Sequence, residues 1–581
     1  MTTLWQDAAA KKREEISALI PEEWRVDNLP SVKEQVDVTD YVKKHLSEEE
    51  LSITESDAEQ IVERTTSGSW TAEKVARAFC HRAALAHQLL NCLHEVFFDA
   101  AIADAKQLDA YFAEHKKPFG PLHGLPISLK DQFHVKCVET TMGYVGWIGT
   151  FEGKKGTGKE KVFESEMVRE LRAGGAVLYC KTSVPHTLMS GETVNNIIEY
   201  TTNPKNRNLS SGGSSGGEGA LIGIKGSPVG FGTDIGGSIR IPAAFNGLYG
   251  LRPSTGRLPY EGMANSMDGQ NTVLSVVGPL GSTAGSLRLV TKALLAQQPW
   301  LHDPFVHEIP WRSGEEDKIQ QLLQFVGESV PKEKKLSFGV IHTDGVVTPT
   351  APIRRAIELV TKALEAAGHE VFAWSPPSHK VLNETSFRSW VFDGGRNVRE
   401  AFALSGEPMA PQVSLYQDEM KEFSATEIAE TNVAMRGLKK EYMEYWNSTA
   451  KETSTGRPVD AVISPLAPWP AARREKYKYY GYSTWVNALD YTSVAFPVTN
   501  VDKTIDVKSS DFKAVDEKDQ DIQDDCKRLH LRPLTINLLT NPIDDPEVYD
   551  GAHVSLQLVG RRLQEEKVLA VVEYVGKLIG K

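Results

Sequence analysis

Two stretches decide how this chain reads: Ser211-Gly212-Gly213-Ser214-Ser215-Gly216-Gly217-Glu218-Gly219-Ala220, and Gly232-Thr233-Asp234-Ile235-Gly236-Gly237-Ser238-Ile239-Arg240. Glycine permits backbone angles closed to other residues. It also bares N–H groups so that several can point at one ligand oxygen. A flexible linker would lack the apolar runs found here. Ala220-Leu221-Ile222 and Val229-Gly230-Phe231 interleave with the glycines, and Ile241-Pro242-Ala243-Ala244-Phe245 closes the stretch. The pattern is that of a folded centre turned by glycines.

Each stretch offers a serine. Ser214 lies in Gly212-Gly213-Ser214-Ser215-Gly216, which matches the Gly-x-Ser-x-Gly nucleophile elbow. An elbow needs a buried strand just before it, and Asn203-Pro204-Lys205-Asn206-Arg207-Asn208 is polar. Ser238 has the better setting, because an apolar strand from Val229 to Gly232 leads into the turn that presents it. Phosphate cradling is excluded, since no Lys follows the glycines. Elsewhere, Gly153-Lys154-Lys155-Gly156-Thr157-Gly158-Lys159-Glu160 imitates a P-loop but has Glu160 where Mg²⁺ needs a Ser or Thr. It reads as an exposed loop. His123 and His186 lack a carboxylate partner in the sequence and read as packed or surface histidines.

Outward from this centre the chain alternates between strand and helix. Leu125 to Leu129 and Ala176 to Cys180 read as strands, with a helix at Met167 to Arg172 ended by Gly174-Gly175. Leu336 to His342 and Glu370 to Trp374 read as strands around a helix marked by Ile353, Ile357, Val360 and Leu364. Such alternation predicts a sheet covered by helices on both sides. The first part is helical: Ala8 to Leu19, Asp57 to Thr65 and Ala72 to Cys92, with Val75, Phe79, Ala86 and Leu90 as one buried stripe. The expected organisation is an N-terminal helical extension over 1–70 packed on a domain over 71–581. Val501 to Arg532 is polar and reads as a surface excursion.

The chain has 581 residues and a formal net charge of −12. An acidic surface argues against nucleic acid, because phosphate binding relies on Lys and Arg. The sequence shows neither a secretory head nor a run of about 20 apolar residues, so a cytoplasmic protein without a membrane span is expected. Five scattered cysteines, none in CxxC, predict buried, reduced thiols rather than zinc or disulfides.

The two glycine-serine stretches, together with Gly124-Leu125-Pro126-Ile127-Ser128-Leu129-Lys130-Asp131 and Val554-Ser555-Leu556-Gln557-Leu558-Val559-Gly560-Arg561-Arg562, resemble the amidase signature family from about residue 70 to 565. Trp5, Trp24, Gly191-Glu192-Thr193-Val194-Asn195-Asn196 and Tyr480-Gly481-Tyr482 further resemble fungal acetamidases. The resemblance implies an α/β amidase-signature fold with a large twisted mixed sheet. It implies a triad of Ser238 as nucleophile, Ser214 as relay, with a cis peptide bond before it, and Lys130 as base. It also implies an oxyanion cradle from the amides of Ile235, Gly236, Gly237 and Ser238, and a substrate-facing carbonyl at Leu188. Ser215, Asp234 and Arg240 are expected in support, the last two equally well as a structural ion pair. A base must be neutral, and burial lowers a lysine pKa by several units.

The expected reaction converts a small carboxylic amide, acetamide-like or aryl, to carboxylate and ammonia or amine through an acyl-enzyme on Ser238. It calls for neither metal nor organic cofactor. The expected partners are the amide substrate and, at most, a second copy of the chain as a homodimer. Two other readings stand beside it: an amidotransferase subunit delivering ammonia to a partner enzyme, and a noncatalytic binding scaffold. Met142-Gly143-Tyr144, Leu188-Met189 and Pro465 to Trp469 are the candidate acyl-pocket walls, with the Phe151 to Phe163 loop at the entrance.

Overall fold

The computed structural model describes residues 4–506, 514–515, 519–520 and 546–581. Most of the 501–532 segment and Cys526 lie outside them. Strands in chain order are β1 (Leu93–Val96), β2 (Pro126–Lys130), β3 (Val177–Thr182), β4 (Val194–Asn195), β5 (Glu199–Tyr200), β6 (Val229–Asp234), β7 (Tyr249–Arg252), β8 (Val276–Gly281), β9 (Ser337–Val340), β10 (Glu370–Ala373), β11 (Ala461–Ser464), β12 (Ser493–Asn500) and β13 (His553–Val559). Among the described residues, β4 and β5 form a hairpin and the others form one sheet, in the order β1-β3-β2-β6-β8-β7-β12-β13-β11-β9-β10.

The sheet is mixed. β2 runs parallel to β3 on one side and β6 on the other, whereas β6 meets β8 antiparallel. β9 and β10 are parallel and joined across the helix Ala351–Ala366. That helix buries Ile353, Ile357, Val360 and Leu364, the stripe its sequence spacing predicts. Burial along its whole length explains why β8 carries apolar residues and glycine on both faces rather than alternating. Apolar clusters line the sheet, one centred on the β7 to β13 half and one on the β1 to β6 half.

The N-terminal residues fold as helices Leu4–Ala18, Glu48–Thr54, Ala58–Thr66 and Ala72–Leu90. Ser47 with Glu50, and Asp57 with Gln60, close capping boxes on the second and third. Each satisfies amides that the helix itself leaves unpaired. In the fourth, Val75, Phe79, Ala86 and Leu90 are all buried. The first helix is fastened by a buried cation: Lys12 Nζ lies 2.7 Å from both Glu95 and Glu139. Burial pulls the Lys12 pKa down, but the two carboxylates outweigh it and hold the ammonium above its ordinary value.

One expectation is corrected here. Cys80, Cys92 and Cys180 are buried and free, but Cys137 is exposed in a turn where its φ is +69°. The 153–160 segment is the loop its composition suggests. Its Gly156 and Gly158 face open space, and Lys159 lies over the rings of Phe151 and Phe163. Among the described residues no helix is long and apolar enough to cross a membrane.

Breaking a buried ion pair by removing one partner strands the other charge. Lys12→Ala is therefore expected to destabilise the fold by about 3 kcal/mol, read as a lower urea midpoint. An unchanged midpoint would contradict this fastening role.

Candidate active site

β2 and β6 are parallel neighbours, so their C-terminal ends reach the same edge of the sheet. In open α/β sheets that edge is where ligands bind. Lys130 closes β2, and Thr233 and Asp234 close β6. Lys130 is fully buried, and its Nζ lies 2.8 Å from Ser214 Oγ and 2.7 Å from Thr233 Oγ1. Thr233 Oγ1 donates in turn to Gln132 Oε1 at 2.7 Å, which fixes its lone pairs toward the lysine. Burial lowers the Lys130 pKa from 10.5 to about 7, with Asp234 and Glu218 opposing the shift. At neutral pH a large share of this amine carries a free lone pair.

Ser214 sits in the turn before the helix Gly216–Gly223, and the Gly213–Ser214 peptide bond is cis. No strand leads directly into Ser214, so it is not on an elbow. The Ser215 amide donates to the Ser238 carbonyl at 3.1 Å, tying the two glycine-rich stretches together. The Ser215 hydroxyl accepts from the Thr233 amide at 3.4 Å.

Ser238 follows Gly237, whose φ of +123° favours glycine. The turn is held from behind by a buried pair. Arg240 Nε and Nη2 each lie 3.0 Å from one Asp234 oxygen. Arg240 also donates to Asn487 Oδ1 at 2.7 Å and Gln557 Oε1 at 2.8 Å. Burial alone would raise the Asp234 pKa, but the guanidinium and the Asn487 amide hold it well below the usual carboxylate range. Asp234 Oδ1 accepts from the Gly237 amide at 2.8 Å. That amide is thus committed to the turn, whereas those of Ile235, Gly236 and Ser238 have no acceptor among the described residues.

A family model described as Amidase matches residues 74–569. The chain belongs to the amidase family. It is 46% identical to an acetamidase of Emericella nidulans, over 100% of this chain and 99% of that one. It is 44% identical to an acetamidase of Aspergillus oryzae, over 99% of each. Its structure matches a solved fatty acid amide hydrolase with a TM-score of 0.87 at 32% identity, covering 99% of this chain and 95% of the other. The large mixed sheet is the amidase-signature fold, and the protein is a serine-type amidase that hydrolyses amide C–N bonds.

In this amidase Ser238 opens onto a pocket of about 90 Å³ lined by Leu188, Met189, Ile235, Gly236, Phe387, Trp390, Gln412, Leu415, Tyr416 and Tyr480, among others. Leu188 and Met189 stand where the sequence places them. The other expected walls do not. Met142 and Tyr144 are buried in an apolar cluster that includes Leu188 and Phe402. Trp469 packs against Tyr477, with ring centroids 5.7 Å apart. The Phe151 to Phe163 loop folds onto His134, where Phe151 stacks at 4.7 Å, and lines a different cavity.

His123 and His186 are buried packing residues. Their ring nitrogens accept from the backbone amides of Phe119 and Ala410. The sequence pattern gave no role to Thr233, which lies inside a quoted stretch, or to Gln132, which directly follows one. It also missed the walls at 387–416, which carry no motif at all.

Thr233→Val keeps the shape but removes the hydroxyl beside Lys130. We expect kcat/KM to fall about tenfold, the equivalent of ~1.4 kcal/mol, with the protein still folded. An unchanged kcat/KM would show that Thr233 does not hold the amine.

Proposed function

We propose that Ser238 is the nucleophile, Ser214 the proton relay and Lys130 the general base of an acyl-enzyme mechanism. The observation that carries this reading is the buried Lys130 amine, 2.8 Å from Ser214 Oγ and poised near neutrality. The neutral amine takes the Ser214 proton while Ser214 takes that of Ser238, and Ser238 Oγ bonds to the amide carbon. The carbonyl oxygen becomes an oxyanion in the cradle of the Ile235, Gly236 and Ser238 amides. One such donor is typically worth about 10²–10³ in rate. As the intermediate collapses, the proton returns from the Lys130 ammonium through Ser214 to the departing nitrogen. Ammonia or an amine leaves, and the acyl group remains on Ser238. Water then bonds to the acyl carbon as its proton passes through Ser214 to Lys130, and that proton returns through Ser214 to Ser238 Oγ as the carboxylate leaves.

Asp234, Arg240 and Ser215 shape the turn without touching the reacting atoms. The Leu188 carbonyl is assigned to the substrate-facing wall. Two acetamidases at 44–46% identity over nearly the whole chain support a small carboxylic amide as substrate. The buried free thiols of Cys80, Cys92 and Cys180 support a reducing compartment, the cytoplasm. Residues 1–70 are assigned as an extension packed on the catalytic domain of 71–581, with Lys12 as its buried fastening.

Ser238→Ala is expected to abolish turnover and labelling by a fluorophosphonate probe while leaving the fold intact. A Ser238→Ala protein that still turned over amides, beside an inactive Ser214→Ala, would move the nucleophile to Ser214.

The pH dependence follows from the sign of the Lys130 shift. The active form is the deprotonated amine, so kcat/KM should climb with pH through about 7 and level off above it. A profile still climbing at pH 10 would mean an ordinary, charged lysine.

A further inference from the structure

We propose that Trp390 sets the length of acyl group that Ser238 can carry, admitting short aliphatic amides and excluding aryl and long-chain ones. The inference rests on Ser238 being the nucleophile. It goes further by naming the wall that measures the substrate.

Trp390 reaches the turn that presents Ser238. A Cβ placed on Gly236 would lie 3.1 Å from Trp390 Cη2 and 3.6 Å from Cζ2. The ring edge therefore lies against the backbone that is to face the substrate carbonyl. The residue is also held, at its ring and at its backbone. Phe387 meets it edge-on at 4.9 Å, and the Trp390 amide donates to the Phe387 carbonyl at 3.2 Å. The Tyr416 hydroxyl donates to the Trp390 carbonyl at 3.4 Å. With 4% of its surface exposed, the side chain has little room to swing aside.

The space left is small. The pocket at Ser238 holds about 90 Å³. An enclosed apolar cavity of about 150 Å³ takes up benzene. The smaller space here suits a two- to four-carbon acyl group better than a phenyl ring.

The test compares kcat/KM for acetamide, propionamide, hexanamide and benzamide, by ammonia release, in the wild-type enzyme, Trp390→Ala and Trp390→Phe. The wild type should favour the first two over the last two by more than tenfold. One methylene in an apolar pocket commonly discriminates by about 10–200-fold. Trp390→Ala should raise the hexanamide-to-acetamide ratio at least tenfold, with Trp390→Phe between the two. An unmoved ratio in folded Trp390→Ala overturns the inference, as does wild-type hydrolysis of benzamide on a par with acetamide. If Trp390→Ala does not fold, Trp390→Leu carries the same ratio test. Fluorophosphonate labelling mapped in the wild type separates the two levels. Labelling at Ser238 with unmoved ratios defeats only the role of Trp390, whereas labelling at another residue defeats the underlying assignment.

Discussion

A primary amine sealed from water holds its proton poorly, and the end of the sheet where β2 and β6 finish is arranged around such an amine. Lys130 is buried because β2 is buried, flanked by β3 and β6 and covered on both faces. Only hydroxyl oxygens, of Ser214 and Thr233, lie within hydrogen-bonding distance of its nitrogen among the described residues. The arrangement costs stability. The folded-state pKa lies near 7 against an ordinary 10.5, so between those values the unfolded chain binds the extra proton. Stability therefore rises with pH across that window, and below about 7 the full cost is present. A buried amine without a carboxylate partner works against the fold that carries it.

The rest of the centre shows how that cost is contained. Glu218 lies buried near the lysine, held by the hydroxyls of Ser128 at 2.6 Å and Thr182 at 2.8 Å. Burial pushes its pKa up to about 7, so it too leans toward its neutral form. Gly230 has to lack a side chain here, because a Cβ would lie 1.9 Å from Glu218 Oε2. The pair that stays fully charged, Asp234 with Arg240, is bidentate and further tied to Asn487 and Gln557. Buried charges persist when they are paired and hydrogen-bonded in this way. The pair fixes the turn through the Gly237 amide and leaves its neighbours to face the pocket.

Much of this was legible in the residues. The apolar run before Ser238, the polar run before Ser214 and the strand that ends at Lys130 each follow from local pattern. Those patterns were enough to place β2 and β6 and to show that no strand leads into Ser214. The helix stripe at Ile353 to Leu364 and the strands beside it were equally plain, because period alone determines them. Gly237 was harder to read. Sequence counts its amide with the cradle, but only the folded turn shows that Asp234 already takes it. The pocket walls were not legible, for a related reason. Phe387, Trp390, Gln412 and Tyr416 come from a region far along the chain and carry no local signature. Their placement depends on how helix 379–389 and the turns after it dock against the sheet edge. Conversely, the Phe151 to Phe163 loop has a conspicuous sequence and settles on His134, away from Ser238.

The proposed relay depends on Lys130 being an amine poised near neutrality. Nuclear magnetic resonance of carbon-13 at lysine Cε reads this directly, with the Lys130 signal assigned by its loss in Lys130→Met. A single titration of that signal with a midpoint near 7 is expected. A midpoint at 10 or above would show a charged Lys130 at neutral pH, and would remove the base from the mechanism.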